Sequence, residues 1–266
     1  MDGAYKMNRI KKVFEQEKVF IGFLTGGDPT IKKTKDYIKK MVEAGTDIIE
    51  IGIPFSDPIA EGPTIQDASI RALKNKVSVS DLLDMVGELR NADKKNKSVG
   101  IPLLFMTYLN PIYHFGYEKF FKKARAVSLD GIIIPDFPFE EQAEVKVLAR
   151  KYNINLISFI APTTSKNRIK EIVKNADGFI YLVSSMGVTG VRSNINLDIS
   201  KIVSEIKKIK KIPVAIGFGI SNRKQVKEMQ EIADGAIIGS AIVKIIAKYR
   251  DKADEKIYEF IKKMTK

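Results

Sequence analysis

Short, almost purely apolar runs alternate along this chain with longer segments whose apolar residues return every three or four positions. Eight such runs stand out: VFIGFL at 19–24, IIEIG at the end of EAGTDIIEIG (43–52), GIPLLFM at 100–106 and GIIIP at the end of AVSLDGIIIP (126–135), then NINLISFI at 153–160, GFIYL at the end of VKNADGFIYL (173–182), IPVAIGFG at 212–219 and GAIIG at the end of QEIADGAIIG (230–239). Continuous branched and aromatic runs of this length read as parallel strands buried on both faces. Four of them follow a joint in which an Asp, usually trailed by Gly, ends a helix-like segment. The intervening segments carry helical spacing, as in Ile31, Ile38, Met41 and Val42, or Ile202, Val203, Ile206 and Ile209. Eight strands, each followed by a helix, predict a single (β/α)₈ barrel over residues 1–266. A doubly wound open sheet is the main rival. It would advertise G-x-G-x-x-G after its first strand, and FLTGGDPT does not have that form.

In such barrels the chemistry lies at the C-terminal ends of the strands. Side chains alternate along a strand, so Ile49, Ile51 and Ile53 share one face and Ile48, Glu50 and Gly52 the other. The branched face suits the helices. The Glu/Gly face suits the barrel interior, with Gly52 leaving room above Glu50. Glu50 has two readings, a structural acid paired with Lys or Arg and a functional acid. No basic residue lies in the neighbouring strand runs, which favours the second, with burial raising its pKa. Glu61 follows in a loop holding Pro54, Pro58 and Pro63; two carboxylates facing one cavity can divide acid and base work. GVTG (187–190), GFG (217–219) and GS (239–240) follow the last three strands, where such barrels commonly hold phosphate on backbone N–H groups. Residues 184–194, SSMGVTGVRSN, have the composition of a mobile lid.

Composition narrows the chemistry. The chain is 44% hydrophobic and 29% charged, ordinary for a globular protein with a sizeable core. It has no cysteine and one histidine, His114 in the loop-like NPIYHFG, too few ligands for a zinc aldolase centre, and no metal site is expected. No Lys falls inside the strand runs, which argues against a Schiff-base aldolase. Metal-free acid–base chemistry on a phosphorylated, partly apolar substrate remains. The net charge of +13 comes from scattered lysines not interleaved with aromatics. It reads as a solvated surface that attracts anionic substrates rather than a nucleic-acid footprint. With no signal-peptide core in the first thirty residues and no apolar run of membrane length, a cytoplasmic protein is expected.

LTGGDP, EIGIPFSDPIAEGPTIQ, MTYLNP, GIIIPDFPFEE, YLVSSMGVTG, IGFGIS and GSAIVK, in this order and spacing, resemble the tryptophan synthase alpha subunit family from about residue 19 to 244. The resemblance implies a lyase that cleaves indole-3-glycerol phosphate to indole and glyceraldehyde 3-phosphate. It also implies an alpha2beta2 assembly in which a beta subunit, not this chain, carries pyridoxal phosphate. Carried over residue by residue, it makes Glu50 the general acid/base, Glu61 the partner of the indole N–H, and Tyr181 their neighbour. Gly190, Gly219, Gly239 and Ser240 would hold phosphate. Phe23, Ile65, Tyr108, Ile133 and Phe218 would surround indole, and Thr189 would close over it from the lid. Pro54, Asp57, Pro58 and the NPIYHFG segment would face the beta subunit. The chain departs from the family's pattern at Glu61, usually Asp, and at Ser185-Met186, often Arg-Ser or Arg-Ala.

Overall fold

The computed structural model describes residues 8–16, 18–91, 98–183, 192–217, 219 and 222–265, with the backbone alone for 192–198. Eight parallel strands close in chain order into one barrel. They are β1 (Val19–Thr25), β2 (Ile48–Gly52), β3 (Leu103–Met106), β4 (Gly131–Ile133), β5 (Asn155–Ile160), β6 (Ile180–Val183), β7 (Val214–Gly217) and β8 (Gly235–Ile238). The expected runs all become strands, but some are trimmed. The third begins at Leu103 and the seventh at Val214, each directly after a proline that has no N–H to give the ladder. Pro102 and Pro213 still accept, from Ile49 N (3.1 Å) and Ile180 N (2.8 Å).

The helices are α1 (Arg9–Val13), α2 (Ile31–Glu43), α3 (Pro63–Lys74), α4 (Val79–Arg90), α5 (Leu109–Phe115), α6 (Tyr117–Ala126), α7 (Ala143–Lys151), α8 (Lys166–Asn175), α9 (Arg192–Ile209), α10 (Arg223–Ile232), α11 (Ser240–Tyr249) and α12 (Ala253–Thr265). Three departures from the sequence reading matter. Pro63 is not a loop residue but opens α3, where its missing N–H costs nothing. NPIYHFG is mostly helical, as α5, and leaves Tyr113 and His114 exposed. The last three residues of the 184–194 segment already belong to α9; the rest lie outside the described residues. Among the described residues no helix is long and apolar enough to cross a membrane.

Strand parity builds two cores. Ile49, Ile51 and Ile53 pack outward among the helices. Ile48 packs inward with Ile21, Leu104, Ile133 and Ile157. A fully buried side chain of this size contributes about 1.5–3 kcal/mol. The recurring Asp joints have a mechanical role. Asp47 accepts Phe20 N (2.8 Å), Asp130 accepts Leu103 N (2.9 Å) and Asp234 accepts Val214 N (2.7 Å), each tying the foot of one strand to its neighbour. In the fourth joint Gly178 has φ +70°, and a Cβ there would sit 2.9 Å from Ile157.

The foot of the barrel is stoppered by α1, which the strand pattern does not announce. Ile10 is fully buried in the inner core, and Phe14 lies 5.4 Å from Phe179. Arg9 pairs with Asp130 at 2.8 Å, and Asp130 also receives Arg90, itself bonded to Ile101 O at 2.7 Å. Replacing Asp130 with Ala strands the buried Arg90 guanidinium. Urea unfolding of Asp130→Ala should show a loss of about 3–5 kcal/mol; a loss below about 1 kcal/mol would mean the joint carries little.

Candidate active site

Glu50 stands on the inward face of β2, in register with Phe23 on β1 and Leu104 on β3. Its side chain is completely buried, and neither carboxyl oxygen has a hydrogen-bond partner among the described residues. Burial alone pushes its pKa up to about 8, so the group is neutral and holds a proton at pH 7. The space beside Gly52 is not left empty. A Cβ there would meet Phe23 Cζ at 2.7 Å, so the glycine makes room for the Phe23 ring at the mouth.

Tyr181 points inward from β6. Its ring lies 4.8 Å from that of Phe159 and fills the space over Gly217, where a Cβ would be 2.2 Å from its Cε1. Burial, then Glu50 and Glu61, both ionised at the alkaline pH where a phenol titrates, hold the Tyr181 hydroxyl well above its ordinary pKa. The three expected catalytic groups thus share one electrostatic neighbourhood.

Glu61 reaches that neighbourhood from the loop between β2 and α3. Its Oε2 accepts the Tyr108 hydroxyl, which in turn accepts Ala60 N at 2.8 Å. Tyr108 is buried and its ring lies 5.2 Å from Phe55, so one side chain holds both ends of the loop. Gln66 Nε2 donates to Glu61 O at 2.8 Å. Burial raises the Glu61 pKa and the Tyr108 hydrogen bond opposes it. Phe23, Ile65, Ala68, Met106 and Val243 form a small apolar cluster beside these acids. Gly239 abuts Phe23, and Ser240 opens α11 with no side-chain cap on its first amides. Gly219 is exposed with open space where a Cβ would be. Among the described residues no three His, Cys, Asp or Glu side chains gather as a metal site.

A chain with these motifs on this barrel has clear relatives. The family model for the tryptophan synthase alpha chain matches residues 10–266. The chain belongs to the tryptophan synthase alpha chain family. It is 42% identical over 258 residues to the alpha chain of Lacticaseibacillus casei, covering 97% of this chain and 94% of the relative. It is 45% identical over 253 residues to that of a Thermoanaerobacter species, covering 93% and 94%. Among solved structures, the alpha subunit from Campylobacter jejuni superposes with TM-score 0.85 at 33% identity, over 94% of this chain and 97% of that one. A chain of the tryptophan synthase a2b2 complex from Pyrococcus furiosus gives TM-score 0.85 at 36% identity, over 94% and 98%.

Within this family member, the structure brings Glu50, Glu61, Tyr181, Phe23, Ile65 and Tyr108 to the mouth, with Gly219, Gly239 and Ser240 at strand ends. Ile133 ends β4 in register with Met106, facing the inner core with Tyr181. Thr189, Gly190 and Phe218 lie outside the described residues. Of the expected interface residues, Asp57 is exposed, Pro58 half-buried and Pro54 buried within the chain. Phe159 and Met106 were not foreseen at the site. Parity would have found Phe159, which alternates with Ile157 on β5; Met106 falls at the end of its run, where a terminal residue reads as a boundary.

A carboxyl neutral in the fold and ionised in the unfolded chain favours folding at low pH. That contribution is complete below the ordinary value of 4.5 and is lost as pH rises through about 8. Urea unfolding between pH 5 and 9 should therefore show Glu50→Gln gaining stability relative to the parent as pH rises; parallel curves would place an ionised, compensated Glu50 in the barrel. Gly217→Ala should displace Tyr181 and cut indole release more than about tenfold, for a repacking cost of about 1–3 kcal/mol. Activity and a melting curve check this, and full activity would show the ring free to move.

Proposed function

We propose that Glu50, Glu61 and Tyr181 are the working groups of the alpha reaction, the cleavage of indole-3-glycerol phosphate that this family performs as a lyase of tryptophan biosynthesis. The observation that carries the reading is Glu50, a fully buried carboxyl on the inward face of β2 with no hydrogen-bond partner among the described residues, where burial pushes its pKa up to about 8. Neutral Glu50 gives its proton to C3 of the indole ring. The ring becomes an iminium whose positive charge lies on the N–H, and the Glu61 carboxylate accepts that N–H. Tyr108 engages Glu61 Oε2 and leaves Oε1 for the substrate. The Glu50 carboxylate then takes the proton of the glycerol hydroxyl next to the ring. The C–C bond breaks, its electron pair restores indole, and the former hydroxyl carbon becomes the aldehyde of glyceraldehyde 3-phosphate. Glu50 ends neutral, so the proton count closes within one turnover.

Phe23, Ile65, Tyr108 and Ile133 enclose the indole, and the resemblance assigns Phe218 to the same role. The uncapped amides at the start of α11 (Gly239, Ser240), with Gly190 and Gly219, take the phosphate. The resemblance assigns Thr189, which lies outside the described residues, to substrate binding as well. No cofactor takes part in this chain's reaction. The chain pairs with a beta subunit, which holds pyridoxal phosphate and consumes the indole; Asp57 and Pro58, with exposed Ile59 and Tyr113, suit that contact. Pro54 supports the loop from within. Cytoplasmic residence fits this role.

Indole production from indole-3-glycerol phosphate by the chain with its beta subunit tests the assignment. Glu50→Gln should abolish it while the protein stays folded, Glu61→Ala should lower it by about a hundredfold or more, and Glu61→Asp should be mild. Turnover retained in Glu50→Gln would remove that residue from its role.

A further inference from the structure

From Phe55 to Asp67 no residue is fully buried, and the apolar contacts of this stretch, which carries Glu61, are only partial, Phe55 against Tyr108 and Ile65 in the cluster around Phe23. Its position comes from Tyr108 on one side and from α3 on the other. The buried face of α3 is Ala68, Ser69 and Ala72. Side chains this small make shallow ridges, which fix the distance between packed elements better than the sliding of one along another. A further, directional interaction restrains α3 along its axis.

That interaction is an ion pair at the far end of the helix. Arg71 Nε and Nη2 donate to Asp28 Oδ1 and Oδ2 at 2.9 and 2.7 Å, a two-pronged fork that fixes angle as well as distance. Asp28 is 1% exposed and belongs to LTGGDP, a motif to which the reaction assigns no task. Its loop is firmly seated. Gly26 N donates to Gly52 O (2.8 Å) at the top of the Glu50 strand, Gly27 N donates to Thr34 Oγ1 (2.9 Å), and Pro29 O accepts Asn75 Nδ2 (2.5 Å). Arg71 lies eight residues beyond Pro63, about 12 Å along a helix, with Glu61 hanging just before the helix starts.

We propose that the Asp28–Arg71 pair is a positioning device for Glu61, using α3 as a rigid lever between the end of the Glu50 strand and the second acid. This rests on Glu61 being the partner of the indole N–H. The pair touches neither substrate nor Glu61; it sets how far the loop reaches over the mouth.

The test is steady-state indole release by the chain assembled with its beta subunit. Arg71→Lys keeps the charge and loses the fork; Asp28→Asn keeps the shape and loses the charge. Each should lower kcat about tenfold, with KM moving less than about threefold, since the phosphate site lies elsewhere. In a Glu61→Gln background the same substitutions should change the rate by less than about twofold, because their effect passes through that carboxylate. An equal tenfold loss in both backgrounds would make the pair merely structural and overturn the proposal. So would full kcat in Arg71→Lys, which decides alone should Asp28→Asn fail to fold by melting curve. Full activity of Glu61→Gln itself would remove Glu61 from the reaction and the proposal with it, whereas additive losses leave the role of Glu61 standing.

Discussion

A carboxylate at the foot of one strand, accepting a first- or second-residue amide of the strand beside it, is the interaction on which the barrel's geometry depends. It occurs at Asp47, Asp130 and Asp234, and each time it fixes the stagger of two neighbours before their ladder begins. Stagger decides everything above. In a pleated strand a shift of one residue would turn every side chain to the opposite face. Ile48 would then leave the inner core and Glu50 would face the helices, among Phe105 and Ile132, with no cavity to serve.

Placed inward, Glu50 makes the fold work against itself. A carboxyl without a partner is costly in an apolar interior, and the protein meets that cost by keeping the proton on it. The surrounding residues preserve this state. Leu104 and Phe23 bring no charge, Gly52 and Gly217 bring no bulk, and the Tyr181 phenol is held neutral by the same burial. Glu61 is treated differently: it is half-buried and hydrogen-bonded by Tyr108, conditions that favour its ionised form relative to Glu50. Two acids of one chemical type thereby sit in different surroundings, one without a partner and one hydrogen-bonded by Tyr108.

Much of this is readable from residue order because parity and local composition are short-range properties. The eight strands, their sequence around the barrel and the inward face of β2 follow from runs of six or so residues. What escapes such reading depends on partners distant along the chain. Nothing local to NRIKKVF says that α1 will plug the barrel's foot; that needs Asp130, more than a hundred residues away. LTGGDP looks like a loop for its own sake until Arg71 is seen to hold it. Pro102 and Pro213 sit inside apolar runs, and only the ladder shows that each delays its strand. Phe159 is an intermediate case, legible from parity yet easily assigned to general packing.

The stopper formed by α1 has a consequence for traffic. With Ile10 and Phe14 sealing the foot of the barrel and branched side chains filling the middle, nothing reaches Glu50 from below. Reactant and both fragments therefore share one doorway, the end of the barrel where the strands finish. Whatever surface stands over that doorway governs the order of departure, and a protein seated there would receive the smaller, uncharged fragment before water could.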